Sequence, residues 1–166
     1  MLYSLAEDSP TTIPVGSEGV PRIDKVAVRS VLVDDGEMRA RVAGARVARL
    51  ATVTAGDRPH VVPCCFVLAG DVVYSAVDAK PKSTFALRRL DNIAAHPHVS
   101  LLVDFYDDDW QQLWWVRVDG TARVVVDGRE RNDAITRLAV KYRQYTETPP
   151  PGPVIAIAVQ SWRAWP

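Results

Sequence analysis

The stretch "VDAKPKSTFALRRLDNI", residues 77 to 93, gathers Lys80, Lys82, Ser83, Thr84, Arg88 and Arg89 around the start of an apolar helical run. Two ammonium groups, two hydroxyls and the free N–H groups of a first helical turn can converge on one phosphate. Lys80 and Lys82 stand in the loop just ahead of Ser83, which makes them the first choice for an anion seat. Arg88 and Arg89 lie over a turn further along and are the second choice. The same residues also suit a solvated loop followed by a solvated helix face.

Other chemistry has less support. The chain carries no G-x-S-x-G, Walker or G-x-G-x-x-G pattern, so hydrolase and nucleoside-triphosphatase readings lose their usual basis. His60, His96 and His98 are the only histidines, and none stands at a recognised metal-ligand spacing from Cys, Asp or Glu. His96, before Pro97, reads as a solvated residue at a helix end. Cys64 and Cys65 are adjacent in a strand-like run, where neighbouring side chains point to opposite faces and a mutual disulfide is strained.

The five tryptophans, Trp110, Trp114, Trp115, Trp162 and Trp165, all lie beyond position 109. Trp114 and Trp115 are neighbours in a strand, so one faces the core and the other the opposite surface. A large aromatic there meets a partner subunit or a flat ligand. Burial in a homodimer is the preferred reading, and a planar cofactor at that interface is compatible with it.

Composition bounds the partners. With 20 Lys plus Arg against 20 Asp plus Glu in 166 residues, the net charge is zero. That excludes the basic excess of a general nucleic-acid binder and makes any anion site local. No apolar run approaches the ~20 residues needed to span a bilayer, and no secretory signal opens the chain. A cytoplasmic protein with a small-molecule substrate is the expectation.

These residues need elements to position them. Residues 1 to 33 are rich in turn formers and read as a weakly ordered N-terminal extension, and 34 to 166 as one domain. Met38, Val42 and Ala45 predict a helix capped by Asp34 or Asp35. "VARLATVT", "GDRPHVVPCCFVLAGD" and "VVYSAV" predict three consecutive strands joined by tight turns. Ala86, Leu87, Leu90, Ile93 and Ala94 predict a helix ending at His96. "HVSLLVDFY" and "LWWVRVDGTARVVV" predict two further strands around the acidic turn "DDDWQQ". Asp127 and Glu130 resemble a capping box opening a helix with Ile135, Leu138, Tyr142 and Tyr145 inward. "VIAIAV" predicts the last strand, with "QSWRAWP" as a tail. The sum is a mainly β, α+β fold: a barrel of about six antiparallel strands with peripheral helices.

The run "ARVARLATVTAGDRPHVVPCCFVLAGDVVYSAVDAKPK", with "LRRLDNIAAHPHVSLLVDFY", "LWWVRVDGTARVV" and the terminal "WRAWP", resembles the pyridoxamine 5'-phosphate oxidase-like split β-barrel superfamily. More narrowly, it is similar to the actinobacterial branch that uses the deazaflavin coenzyme F420 in place of FMN. The resemblance covers about residues 35 to 166. "VDDGEMRARV" begins like a family N-terminus, which makes Val33 a candidate start and the residues before it an upstream stretch.

The resemblance implies a homodimer with two cofactor sites in clefts between subunits. The ring then lies near Thr52, Thr54, Val62, Pro63 and Cys64, with Ser75 and Ala76 nearby, and Thr52 and Thr54 sharing one strand face. The phosphate meets Lys80, Lys82 and Ser83. In FMN-using relatives a basic pair falls instead on Arg88 and Arg89, so both assignments stand. Trp114 or Trp115, Trp162 and Arg163 line the substrate side. The implied reaction is hydride transfer between the deazaflavin and an electron-poor C=C or C=N bond. The alternatives are an FMN-dependent pyridoxamine-phosphate oxidase or flavin reductase, and a non-catalytic carrier of F420 or haem, with His60 as the one tempting axial ligand.

Overall fold

The computed structural model describes residues 33–77 and 85–165. The expected N-terminal extension, save Val33, lies outside these residues, as do Lys80, Lys82 and Ser83. Helix α1, Asp35–Gly44, starts as its sequence dictates: Asp34 accepts a hydrogen bond from the Glu37 N–H at 2.7 Å, and Met38 and Val42 are buried.

Seven strands follow in one antiparallel sheet: β1 Ala48–Val53, β2 Pro59–Cys64, β3 Val67–Ala69, β4 Val72–Ala76, β5 His98–Phe105, β6 Trp114–Val125 and β7 Val154–Trp165. Their spatial order is β2-β1-β5-β6-β7-β4-β3. Helix α2, Phe85–Ala95, lies between β4 and β5 in the chain, and α3, Gly128–Lys141, with the short α4, Gln144–Glu147, precedes β7.

The order forces the sheet to curl. β2 and β3 are opposite edges, yet only Cys65 and Phe66 separate them in sequence. A chain spans at most about 3.6 Å per residue, so the two edges approach within roughly 11 Å at this corner. The single run expected over "GDRPHVVPCCFVLAGD" is therefore two strands, which raises six to seven. Tyr142 holds the corner: its hydroxyl accepts from the Phe66 N–H at 3.0 Å and lies 2.9 Å from the Phe66 carbonyl and 3.0 Å from that of Arg46. It replaces the ladder bonds that a kinked strand loses.

Two turns match their residues. Between β1 and β2 the Asp57 N–H bonds the Thr54 carbonyl, and Asp57 takes φ 58°, the left-handed conformation of a three-residue hairpin loop. Between β3 and β4, Gly70 takes φ 59°.

Three expectations need correction. Asp127 caps α3 through its backbone position but makes no side-chain cap bond, and the other half of the expected box is lost too, because the Glu130 side chain is drawn away to Arg123 and to the Tyr74 hydroxyl at 3.0 Å. Tyr145 belongs to α4 rather than α3, though it is buried as expected. The residues "QSWRAW" are no tail: β7 runs on through them, paired with β6 across a register shift at Asp119 and Gly120. A Cβ on Gly120 would stand 2.4 Å from the Ala158 carbonyl oxygen, so this close approach requires glycine.

The interior splits in two. Leu50, Phe66, Val73, Leu101, Val103, Val116, Val118 and Ile157 belong to the barrel core, and Leu138, Tyr142, Tyr145 and Val154 form a second cluster around α3. Cys64 joins the first and Cys65 packs on the second, as free thiols on opposite sides.

Candidate functional site

β1 and β2 present one ladder of side chains inward: Thr52 opposite His60, Leu50 opposite Val62, Ala48 opposite Cys64. Helix α2 closes over this ladder with Arg89 and Asn92, three residues apart and both buried. Asn92 Nδ2 donates to Thr52 Oγ1 at 2.8 Å. Thr52 Oγ1 in turn lies 3.3 Å from both the His60 carbonyl and His60 Nδ1.

One turn earlier on α2, Arg89 reaches the end of β4. Its Nη2 donates to the Ala76 carbonyl at 3.4 Å, while Nε, also buried, has no partner among the described residues. Only 8% of Arg89 is exposed, and among the described residues no carboxylate pairs with it. Ser75, beside Ala76, is 1% exposed, and among the described residues its Oγ interacts only weakly, with the Cys64 thiol. The Cys64 thiol sits close to both: burial pushes it up to about 11, and Ser75 and Arg89 offset only part of that rise. It is therefore a neutral packing thiol, without the thiolate character of a nucleophile.

The expected ring residues are only partly brought together. Thr52, Val62 and Cys64 share the inner face, and Ser75 and Ala76 adjoin Arg89. Pro63 stands on the other face, opposite Arg49. Thr54 does not extend the face of Thr52, because it lies past the end of β1 and its hydroxyl accepts from the Arg58 N–H at 3.1 Å. The basic pair also divides: Arg88 is exposed, and Arg89 does not belong to a solvated helix face.

The substrate-side residues split in the same way. Trp114 and Trp162 are partly buried against the barrel core, each under an α1 guanidinium: Arg41 at 5.1 Å from Trp114 and Arg39 at 5.0 Å from Trp162. Trp115 and Arg163 face outward. On that surface Leu102 and Arg163 both stand opposite Arg117, and Asp104 and Trp165 both stand opposite Trp115. Arg49 pairs there with Asp104, and Arg117 with Asp119 at 3.0 Å.

Asn92 is not among the expected cofactor contacts, and His60 stands among them only as a haem ligand. The spacing of Asn92 from Arg89 is the signal that could have joined the two on one helix face, whereas Thr52 as their shared partner needed the sheet register. Among the described residues no group of three or more His, Cys, Asp or Glu is placed to hold a metal, and no helix is long and apolar enough to cross a membrane.

A curled antiparallel half-barrel with a helix laid over β1 and a buried guanidinium at the end of β4 defines a split-barrel protein. The pyridoxamine 5'-phosphate oxidase family model matches residues 34–166, and the chain belongs to that family. No curated protein matches the sequence. Among solved structures, a conserved hypothetical protein of Mycobacterium tuberculosis superposes with a TM-score of 0.67 at 17% identity, over 81% of this chain and 85% of its own. An FAD-binding protein of Mesorhizobium loti does so with 0.62 at 21%, over 80% and 94%. A heme storage protein of Vibrio cholerae does so with 0.60 at 17%, over 78% and 89%. At these identities the likeness is one of fold.

Proposed function

We propose that the protein is a coenzyme F420-dependent oxidoreductase, acting as a homodimer, that transfers hydride between the deazaflavin and an electron-poor C=C or C=N bond. Arg89 carries the reading. A buried guanidinium that has, among the described residues, no carboxylate and no partner for its Nε is costly until an anion joins it. A cofactor phosphate supplies acceptor oxygens for Arg89 Nε and for Ser75 Oγ together. Lys80, Lys82 and Ser83, the first choice from the sequence for the phosphate, lie outside the described residues.

When bound, the reduced deazaflavin supplies the hydride. The chain's own residues bind and orient. Arg89 and Ser75 take the phosphate, Asn92 and Thr52 fix α2 against β1, and Val62, half-buried on the same strand face, is the expected ring residue left open to a ligand. Trp115 and Arg163, on the outward face, are available to a partner subunit. This division supports a chemistry that relies on placement more than on acid or base groups.

FMN is the second reading, favoured by the family match itself. A non-catalytic F420 or haem carrier is the third, and turnover separates it from the first two. Reduced F420 is mixed with the protein and a quinone or an unsaturated lactone, and deazaflavin absorbance is followed. Protein-dependent reoxidation is expected. Tight binding of the deazaflavin without reoxidation across such acceptors would favour a carrier, and turnover with reduced FMN alone would favour the flavin enzyme.

A further inference from the structure

The loop after α4 makes an arrangement around Arg131 that the cofactor reading does not use. Arg131, in the first turn of α3, spreads its guanidinium over three successive carbonyls. Nη2 donates to Pro150 at 3.2 Å, Pro151 at 3.1 Å and Gly152 at 3.0 Å, and Nε reaches Gly152 at 3.3 Å. The four prolines in "TPPPGP" cannot donate backbone hydrogen bonds, so the turn cannot brace itself in the usual way. One arginine supplies the missing donors from outside.

The braced turn grips Val77. The Gly152 N–H donates to the Val77 carbonyl at 3.2 Å, and the Val77 N–H donates to the Pro153 carbonyl at 3.0 Å. The approach is close enough that a Cβ on Gly152 would stand 2.7 Å from both the Val77 Cβ and the Val77 carbonyl oxygen. Val77 follows Ala76, whose carbonyl holds Arg89, and Ser75 is one residue further back. The strap therefore extends the β4–β7 ladder at the stretch of β4 on which both groups of the anion seat depend.

We infer that Arg131 is a positioning residue for the anion seat at Arg89 and Ser75, acting through the Pro150–Gly152 carbonyls and Val77. The inference rests on the phosphate reading above. Its consequence is specific: losing Arg131 should weaken recognition of the anion more than recognition of the ring, since β1 and β2 are not held by the strap.

The test compares oxidised F420 with its phosphate-free deazaflavin–ribityl core, titrated against the full chain as native protein, Arg131→Met, Arg131→Lys and Gly152→Ala. The native protein should prefer intact F420. Arg131→Met and Gly152→Ala should each weaken F420 by about tenfold while the core changes by less than about twofold. Arg131→Lys, able to reach only part of the carbonyl set, should recover part of the loss, and the Val77 amide should exchange faster in Arg131→Met. If the native protein prefers F420 and folded variants keep the same preference, the role of Arg131 is overturned and the phosphate reading survives. If the native protein binds the two ligands equally, the phosphate reading fails and the inference fails with it.

Discussion

Asn92 Nδ2 lies 2.8 Å from Thr52 Oγ1, and this bond fastens α2 to the inner face of β1. Both residues are at least 97% buried, so neither has water as a substitute partner. The same helix carries Arg89, and the bond therefore sets how deeply the guanidinium enters the fold.

Thr52→Val keeps the volume and removes the hydroxyl. It strands the Asn92 amide and deletes the contact to His60. The expected loss is about 1–3 kcal/mol in urea unfolding, with weaker cofactor binding. A loss within error of zero would show that the amide finds another partner.

Tyr142→Phe tests the corner between β2 and β3. Its hydroxyl serves the Phe66 N–H and is shared with the Phe66 and Arg46 carbonyls, so its removal leaves a buried N–H unsatisfied. The protein should lose about 2–3 kcal/mol, and the Phe66 amide should lose its protection from hydrogen exchange. Unchanged protection at Phe66 would assign the corner to packing alone.

Much of this architecture was legible in the sequence. The alternation in "ARLATV", the cap at Asp34 and the helical stripe through Leu90 and Ile93 are local signals, and each element lies where its signal falls. The break at Cys65 and Phe66 was not legible, because an apolar run reads the same whether it is one strand or two edges meeting at a corner. The last strand was under-read for a related reason: "QSWRAW" pairs only because a bulge at Gly120 keeps β7 in register with β6. At the site, the types of the basic residues could be read but their environments could not. Arg88 and Arg89 are identical in sequence terms, and only the angle at which α2 docks leaves one exposed and buries the other.

Lys141 gives a pH-dependent prediction. Its amine lies 4.1 Å from the Phe66 ring centre and has no hydrogen-bond partner among the described residues; burial, aided by Arg46, brings its pKa down to about 8. Between pH 8 and the ordinary value of 10.5, the unfolded chain holds a proton that the folded one has released, so stability rises with pH. Cys64 has the opposite sign: raised from 9.0 to about 11, it makes stability fall across that interval. Lys141→Met isolates the first effect. At pH 7 the variant should melt a few degrees above the native protein, and the gap should close as pH rises from 8 toward 10.5. A gap independent of pH would assign the difference to packing.

The most direct test of the central claim is titration of the purified full chain with oxidised coenzyme F420 and, separately, FMN, comparing the native protein with Arg89→Leu. Fluorescence quenching should report selective binding of the deazaflavin by the native protein and an affinity at least about tenfold weaker for Arg89→Leu. Binding of neither cofactor, or equal binding by native and variant proteins, would contradict the account.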